Sequence, residues 1–141
     1  MNAQQMQHIN DLADKFSASI DGGYADPGSS EDYREASPYY AFIFTPENLI
    51  MPIGDKSEYS EGSFSFTFRV SNFDSEVETI EFSAYYEPVE NEAWESDLNS
   101  LQFNQTYNVE KDILDLDLEL IEELYQKFMV NLNKMRKALD I

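Results

Sequence analysis

Carboxylates are the side chains whose number and spacing in this sequence bear most directly on chemistry. The chain has 28 Asp and Glu residues against nine Lys and Arg, so its formal charge is −19 at pH 7. Glycoside hydrolysis needs two carboxylates at a set separation, and no local pattern distinguishes one pair among the 28. We therefore expect a protein that is not an enzyme, and we consider its acids as a binding surface.

The acids are concentrated in the second half of the chain. Sixteen of them fall between Asp74 and Glu123, where Lys111 is the one basic residue. A surface that serves only solubility mixes both signs of charge, whereas a long field of one sign favours the steering or binding of a basic partner. The predicted partner-binding residues are Asp74, Glu76, Glu78, Glu81, Glu87, Glu90, Glu92, Glu95, Asp97, Asp112, Asp115, Asp117 and Glu119.

The sequence predicts neither a metal site nor a cofactor site. It contains one histidine, His8, and no cysteine, which leaves out the usual ligand sets of zinc. We expect His8 at an exposed position of a helix. The five glycines do not have the spacing of a phosphate-binding loop. Residues 115–119 have leucines between their carboxylates and lack the glycine that a calcium loop requires.

Composition also bears on the compartment. The absence of cysteine fits a reducing environment. Residues 1–7 have neither the basic start nor the apolar run of a signal peptide, and no stretch approaches the roughly 18 apolar residues of a membrane span. We expect a cytoplasmic protein that binds neither membranes nor nucleic acid directly, because its charge repels anionic lipids and phosphates.

Two amphipathic helices are predicted at the ends of the chain. In residues 3–20 the apolar side chains recur at three- and four-residue steps. The second helix is predicted from Leu114 to Leu139, with acids at its start and bases at its end, the polarity that a helix dipole favours. Its apolar face is wider than a coiled-coil seam, which favours packing on a sheet. A homodimer through this C-terminal helix is the alternative.

The middle of the chain has the pattern of an antiparallel sheet. The alternation over Ser63–Val70 places four apolar side chains on one face and polar ones on the other. Residues 21–38 are predicted to be a loop and residues 90–101 a short helix. The expected fold is α+β, an antiparallel meander of three to five strands packed against both helices in one domain, 1–141. The predicted extended segments are 39–44, 49–53, 63–70, 77–86 and 103–109.

These features favour a binding or inhibitor protein that engages the basic, nucleic-acid-binding surface of a partner protein. Alternate residues on a strand lie about 6.6–6.8 Å apart, a spacing similar to the phosphate step of a nucleic-acid strand, so carboxylates on a rigid surface can imitate part of that array. Phage-encoded anti-restriction and anti-CRISPR inhibitors are similar in kind, being small, acidic and cysteine-free.

Three alternatives stay open at this level. A toxin-immunity protein follows the same charge logic with one dedicated partner. A dimeric adaptor for another polypeptide is suggested by the order of a leading helix, a strand meander and a closing helix, which is similar to type III secretion chaperones in element order alone. An acidic coat that keeps the protein soluble in salt is the third.

Overall fold

The computed structural model describes residues 1–21, 27–33, 38–46, 51, 53–89 and 99–141. Within these ranges lie two helices, five strands and one short 3₁₀ turn. In chain order the elements are α1 (Ala3–Asp21), β1 (Pro27–Tyr33), β2 (Tyr39–Pro46), β3 (Tyr59–Ser71), β4 (Glu76–Pro88), β5 (Leu101–Asp112), the 3₁₀ turn (Ile113–Asp115) and α2 (Leu118–Leu139).

The five strands form one antiparallel meander in the order β1-β2-β3-β4-β5, so each strand pairs with the next along the chain. The alternation in β3 places Phe64, Phe66 and Phe68 in the core and turns Ser65 and Thr67 to the other face. Both helices pack on the phenylalanine face. The predicted α+β class, with an antiparallel sheet against an N-terminal and a long C-terminal helix, is confirmed.

Aromatic rings fill the space between the sheet and the helices. Phe82, at the centre of β4, has ring centroids 6.0 Å from Phe16 of α1 and 5.7 Å from Phe128 of α2. Phe16 in turn meets Phe66 edge to face at 4.8 Å. Aromatic pairs of this kind add about 0.5–1.5 kcal/mol beyond the area that they bury. These rings therefore join α1, α2 and the sheet into one apolar core.

Both helices carry the capping interactions that their sequences encode. In α1 the Asn2 Oδ1 accepts from the Gln5 backbone N–H, and the Asn2 N–H donates to Gln5 Oε1, each at 2.9 Å. This is a reciprocal capping box. At the start of α2, Asp117 Oδ1 accepts from the Leu120 N–H at 2.9 Å. Asp140 ends that helix in the left-handed conformation.

Several sequence-based boundaries are corrected by the structure. The predicted loop 21–38 contains β1, whose glycine and serines have little strand preference and which pairs with the free side of β2. The second helix begins at Leu118, because the chain first makes the 3₁₀ turn. Met51 and Ile53 are not in a strand, and the rest of 49–53 lies outside the described residues.

Two further expectations differ from the structure. The predicted helix 90–101 lies mostly outside the described residues, and its last residue, Leu101, begins β5. His8 is half-buried, with Nε2 donating to the Leu116 carbonyl at 2.8 Å. This contact links α1 to the segment before α2, because the 3₁₀ turn folds back over the first helix.

Candidate partner-binding surface

Acidic residues from two distant parts of the sequence meet at one end of the sheet. β4 starts there and β5 finishes there, with Glu76 opposite Asp112 and Val77 opposite Lys111. The β3–β4 turn lies at the same end, and the chain continues from β5 through the 3₁₀ turn directly into α2. We call this surface the acidic end. It comprises Asp74, Glu76, Glu78, Glu110, Asp112, Asp115, Asp117 and Glu119.

The pKa of the Glu76 carboxyl group shows that several of these charges lie close together. Its pKa is raised from the ordinary value of 4.5, first by partial burial and then by the negative charges of Asp74, Glu110 and Glu78. Carboxylates from β4, β5 and the β3–β4 turn therefore influence a single site. A surface that collects charge of one sign in this way opposes its own ionisation.

Irregular strand pairing creates part of this arrangement. Between β3 and β4 the register shifts, because Arg69 pairs with Thr79 while the next residue, Val70, pairs with Val77, which leaves Glu78 as an extra residue. β5 has its own irregularity at Glu110, whose φ of 51° is unusual for a residue with a side chain. Bulges bend a strand and re-aim its side chains, so the pleat alone does not set the direction of these carboxylates.

Three carboxylates of the acidic end also stabilise the local backbone. Asp74 Oδ1 accepts from the Glu76 N–H at 3.0 Å, and Asp112 Oδ1 accepts from the Leu114 N–H at the same distance. Asp117 caps α2. Each carboxylate has two oxygens and about four acceptor sites. One local hydrogen bond therefore leaves capacity for a partner's Arg or Lys.

Two apolar side chains stand exposed among these acids. Phe73, at the tip of the β3–β4 turn, is 87% exposed, and Leu114 of the 3₁₀ turn is 44% exposed. Neither residue is among the predicted partner-binding residues. The sequence signal that could have identified Phe73 is its position within a polar turn, where its ring cannot pack against a neighbouring strand. Exposed aromatic side chains of this kind are common anchors at protein interfaces.

Of the 13 predicted site residues, the structure describes nine, which lie in three places. Seven of them belong to the acidic end, which also gains Glu110. Glu81 lies at mid-sheet, where its Oε2 accepts from Thr106 Oγ1 at 2.9 Å. Glu87 lies near the other end of β4, eleven residues and about 36 Å from Glu76 at strand spacing. The remaining four, Glu90, Glu92, Glu95 and Asp97, are outside the described residues.

The opposite end of the molecule carries the basic half of α2. Ile141, just beyond this helix, comes within contact distance of Gly54, and the last turn of α2 contains Arg136 and Lys137. Burial raises the pKa of the Tyr86 hydroxyl there, and Arg136 partly offsets the shift. Charge is therefore polarised along α2, with acids at the start of the helix and bases at its end.

Within the described residues, Lys127 Nζ pairs with Glu123 Oε1 at 3.7 Å, one helical turn apart on exposed α2. This ion pair includes no carboxylate of the acidic end. Over the same ranges, no group of three or more His, Asp or Glu side chains is placed to hold a metal ion.

Comparisons with protein-family models, with curated proteins and with solved structures found no match for this chain. Among the helices in the described part of the chain, none combines the length and the apolar character that crossing a membrane requires.

Proposed function

We propose that this chain is a non-catalytic binding or inhibitor protein whose acidic end engages the basic, nucleic-acid-binding surface of a partner protein in the cytoplasm. It would compete there with nucleic acid, as phage-encoded anti-restriction and anti-CRISPR inhibitors do. The observation that carries the proposal is the approach of carboxylates from the β3–β4 turn, β4 and β5 to Glu76, at the end of the sheet from which the chain enters the acidic start of α2. They come from chain segments more than 30 residues apart in sequence.

The electrostatics of the acidic end support a role in binding. The pKa of Glu76 is raised in the folded chain, so the ionised carboxylate lowers the stability of the fold. Part of this loss of stability is repulsion from Asp74, Glu110 and Glu78. A basic partner would relieve this part, because Arg and Lys form short charge-assisted hydrogen bonds with carboxylates. The interaction free energy available to such a partner is therefore larger than for the same carboxylates spread over the surface.

The geometry also supports competition with nucleic acid. Neighbouring strands lie about 4.8 Å apart and alternate residues on one strand about 6.6–6.8 Å apart, so backbone positions on β4 and β5 recur at distances similar to those between phosphates. Glu76 and Asp112 face each other across the two strands. The 3₁₀ turn and the start of α2 extend the array beyond the sheet.

Exposed Phe73 gives this surface a feature that a purely ionic patch lacks. Its ring projects from the turn that also holds Asp74. An aromatic anchor flanked by carboxylates fits an apolar pocket rimmed by Arg or Lys. We therefore expect the Phe73→Ala variant to bind the partner more weakly while keeping the fold, because this side chain contributes almost nothing to the core.

The test is affinity capture from host lysate followed by mass spectrometry. The tagged wild-type chain should retain a basic protein at 50 mM salt, lose most of it at 200 mM, and release it when duplex DNA is added as competitor. This salt response is expected because binding through carboxylates displaces ions from both surfaces. Retention that neither salt nor DNA reduces would contradict the proposal.

Matched charge-reversal variants locate the surface. The first variant combines Glu76→Lys, Glu78→Lys and Asp115→Lys, which avoids the three capping carboxylates. The control combines Asp14→Lys, Asp55→Lys and Glu58→Lys, exposed residues away from the acidic end, and makes the same change in net charge. We expect the first variant to lose the partner and the control to keep it. If only a third variant, reversed at Glu90, Glu92, Glu95 and Asp97, loses the partner, the surface lies there instead.

A further inference from the structure

The free edge of β5 is a second surface that could bind another protein chain. Within the described residues β5 pairs with β4 alone, so every second residue directs its backbone N–H and C=O away from the sheet. Natural edge strands are usually protected by proline, by lysine or by being short. β5 is 12 residues long, has no proline, and has no charged residue from Leu101 to Val109.

The side chains along this edge are only partly covered. Phe103, Tyr107 and Val109 point to the core face but stay half-buried, although they pack against the core. Tyr107 OH donates to Gln105 Oε1 at 2.6 Å, and Asn131 Nδ2 donates to the same oxygen at 3.0 Å. A further strand placed beside β5 would complete the backbone pairing and cover this apolar row.

We propose that the edge of β5 pairs with the β5 edge of a second copy of this chain, antiparallel across a two-fold axis, to form a continuous ten-stranded sheet. A two-fold interface uses the same surface on both subunits. Antiparallel pairing between the β5 strands of two copies uses the same edge on each subunit, as a two-fold interface requires. Both copies of α2 then lie on the same face of the sheet, on either side of the junction.

The position of α2 fits this arrangement. The Phe128 ring lies 5.7 Å from Phe82 of β4, 5.7 Å from Phe103 of β5 and 6.0 Å from Phe64 of β3. The backbone of α2 approaches β4 and β5, so the helix lies above that strand pair. A helix centred over the last two strands lies about two strand spacings, or ~10 Å, from its copy across the junction. Packed helices have interaxial distances of about 8–10 Å. The two helices would therefore meet without displacement of the sheet.

The exposed flank of α2 is complementary to itself in this orientation. Glu123, Lys127, Val130 and Lys134 follow at steps of four, three and four residues, and all are exposed. This flank adjoins Asn131, whose side chain bonds to β5. When two copies run antiparallel, Glu123 of each faces Lys134 of the other, and Val130, which is 55% exposed, becomes covered. Opposite charges placed in this way fix the orientation of an interface.

The two-fold axis is expected near Asn104. The midpoint of the Glu123–Lys134 span lies at Phe128 and Met129, and the β5 residues beneath this part of α2 are Phe103 and Gln105. Asn104 is exposed and lies in the same row of the sheet as Ser83 and Ser65. A lysine at position 104 would therefore meet its own copy, whereas a lysine at position 65 lies two strands inside the sheet.

Sedimentation velocity over a concentration series tests the proposal with Asn104→Lys against Ser65→Lys, in 300 mM salt to screen the net charge. We expect the wild type and Ser65→Lys to dimerise. For Asn104→Lys we expect a dimer dissociation constant at least about tenfold higher, because like charges are brought together. Circular dichroism and thermal melting confirm that each variant is folded. A wild type that stays monomeric, or equal dimerisation by the two folded variants, would overturn the proposal.

A charge swap on α2 tests the antiparallel arrangement. Glu123→Lys and Lys134→Glu should each weaken the dimer several-fold by placing like charges opposite each other, and the double variant should recover most of the loss. The measurement is the dimer dissociation constant of all four chains. If the double variant is as weak as the sum of the two single ones predicts, the helices are not arranged as proposed.

Discussion

The aromatic core and the acidic end use side chains in opposite ways. In the core, Phe82 lies within 6.0 Å of the rings of Phe16, Phe64 and Phe128, and each contact removes apolar surface from water. At the acidic end, partial burial raises the pKa of Glu76, and the negative charges of Asp74, Glu110 and Glu78 raise it further. The packed rings stabilise the fold, whereas the ionised carboxylate of Glu76 opposes it.

This difference shows where stability and binding are separated in the molecule. The core lies between the sheet and the helices, so its rings are inaccessible to a partner. The acidic end lies where strands and helices begin or finish, and six of its eight acidic residues are exposed. Substitutions in the core should therefore change folding, whereas most substitutions at the acidic end should change binding, with little loss of stability or a gain.

The largest expected effect is the difference in stability between two phenylalanine-to-alanine variants, one in each region. Phe82→Ala should lower the free energy of unfolding by about 3–5 kcal/mol, because it leaves a cavity among packed rings. Phe73→Ala should change it by less than about 0.5 kcal/mol, because that ring is in solvent. Chemical denaturation measures both values. Similar losses for the two variants would show that the ring at the turn is part of the fold.

An intermediate effect is expected at the cap of α2, where one carboxylate serves both regions. Asp117→Ala should destabilise the fold by about 1 kcal/mol, since the Leu120 N–H loses its acceptor. Asp117→Asn keeps an acceptor and should restore most of this stability while leaving the charge removed. Thermal melting compares the two variants. If both destabilise equally, the charge of Asp117 rather than its hydrogen bond stabilises the helix.

The smallest expected effect is a gain in stability. The folded pKa of Glu76 is above its ordinary value of 4.5, so the ionised carboxylate destabilises the fold at pH values above that folded pKa. Glu76→Gln should therefore raise the melting temperature slightly at pH 7. The gain should shrink as pH falls through the folded pKa and vanish below 4.5. Glu87→Gln, at the other end of β4, is the control. A gain that is the same at pH 7 and pH 4 would contradict this account.

Much of the fold was predictable because the apolar pattern repeats in the sequence. The two-residue period of β3 and the three- and four-residue steps of both helices identify which side chains are buried. β1 was missed, since Gly28, Ser29 and Ser30 carry no such pattern. Its strand conformation depends on hydrogen bonding to β2, a contact between segments that propensity cannot report.

The candidate site was predictable only in part. The run of acids before Glu123 identified most members of the acidic end, but the sequence could not separate Glu76 from Glu87, because both occur in one strand. Strand length places them at opposite ends of the sheet. Phe73 was missed because hydrophobic character usually predicts burial, and only its position at the tip of a turn leaves the ring exposed.

The sequence by itself determined the net charge, the α+β class and the apolar faces, since these follow from residue types and their periods along the chain. The tertiary structure decided which charges act together. Antiparallel pairing of β4 with β5 brings Glu76 opposite Asp112, 36 positions later, and the irregular pairing at Glu78 and Glu110 shapes the surface between them. Electrostatic interaction depends on distance in space rather than along the chain, so only the fold turns two acidic runs into one end of the molecule.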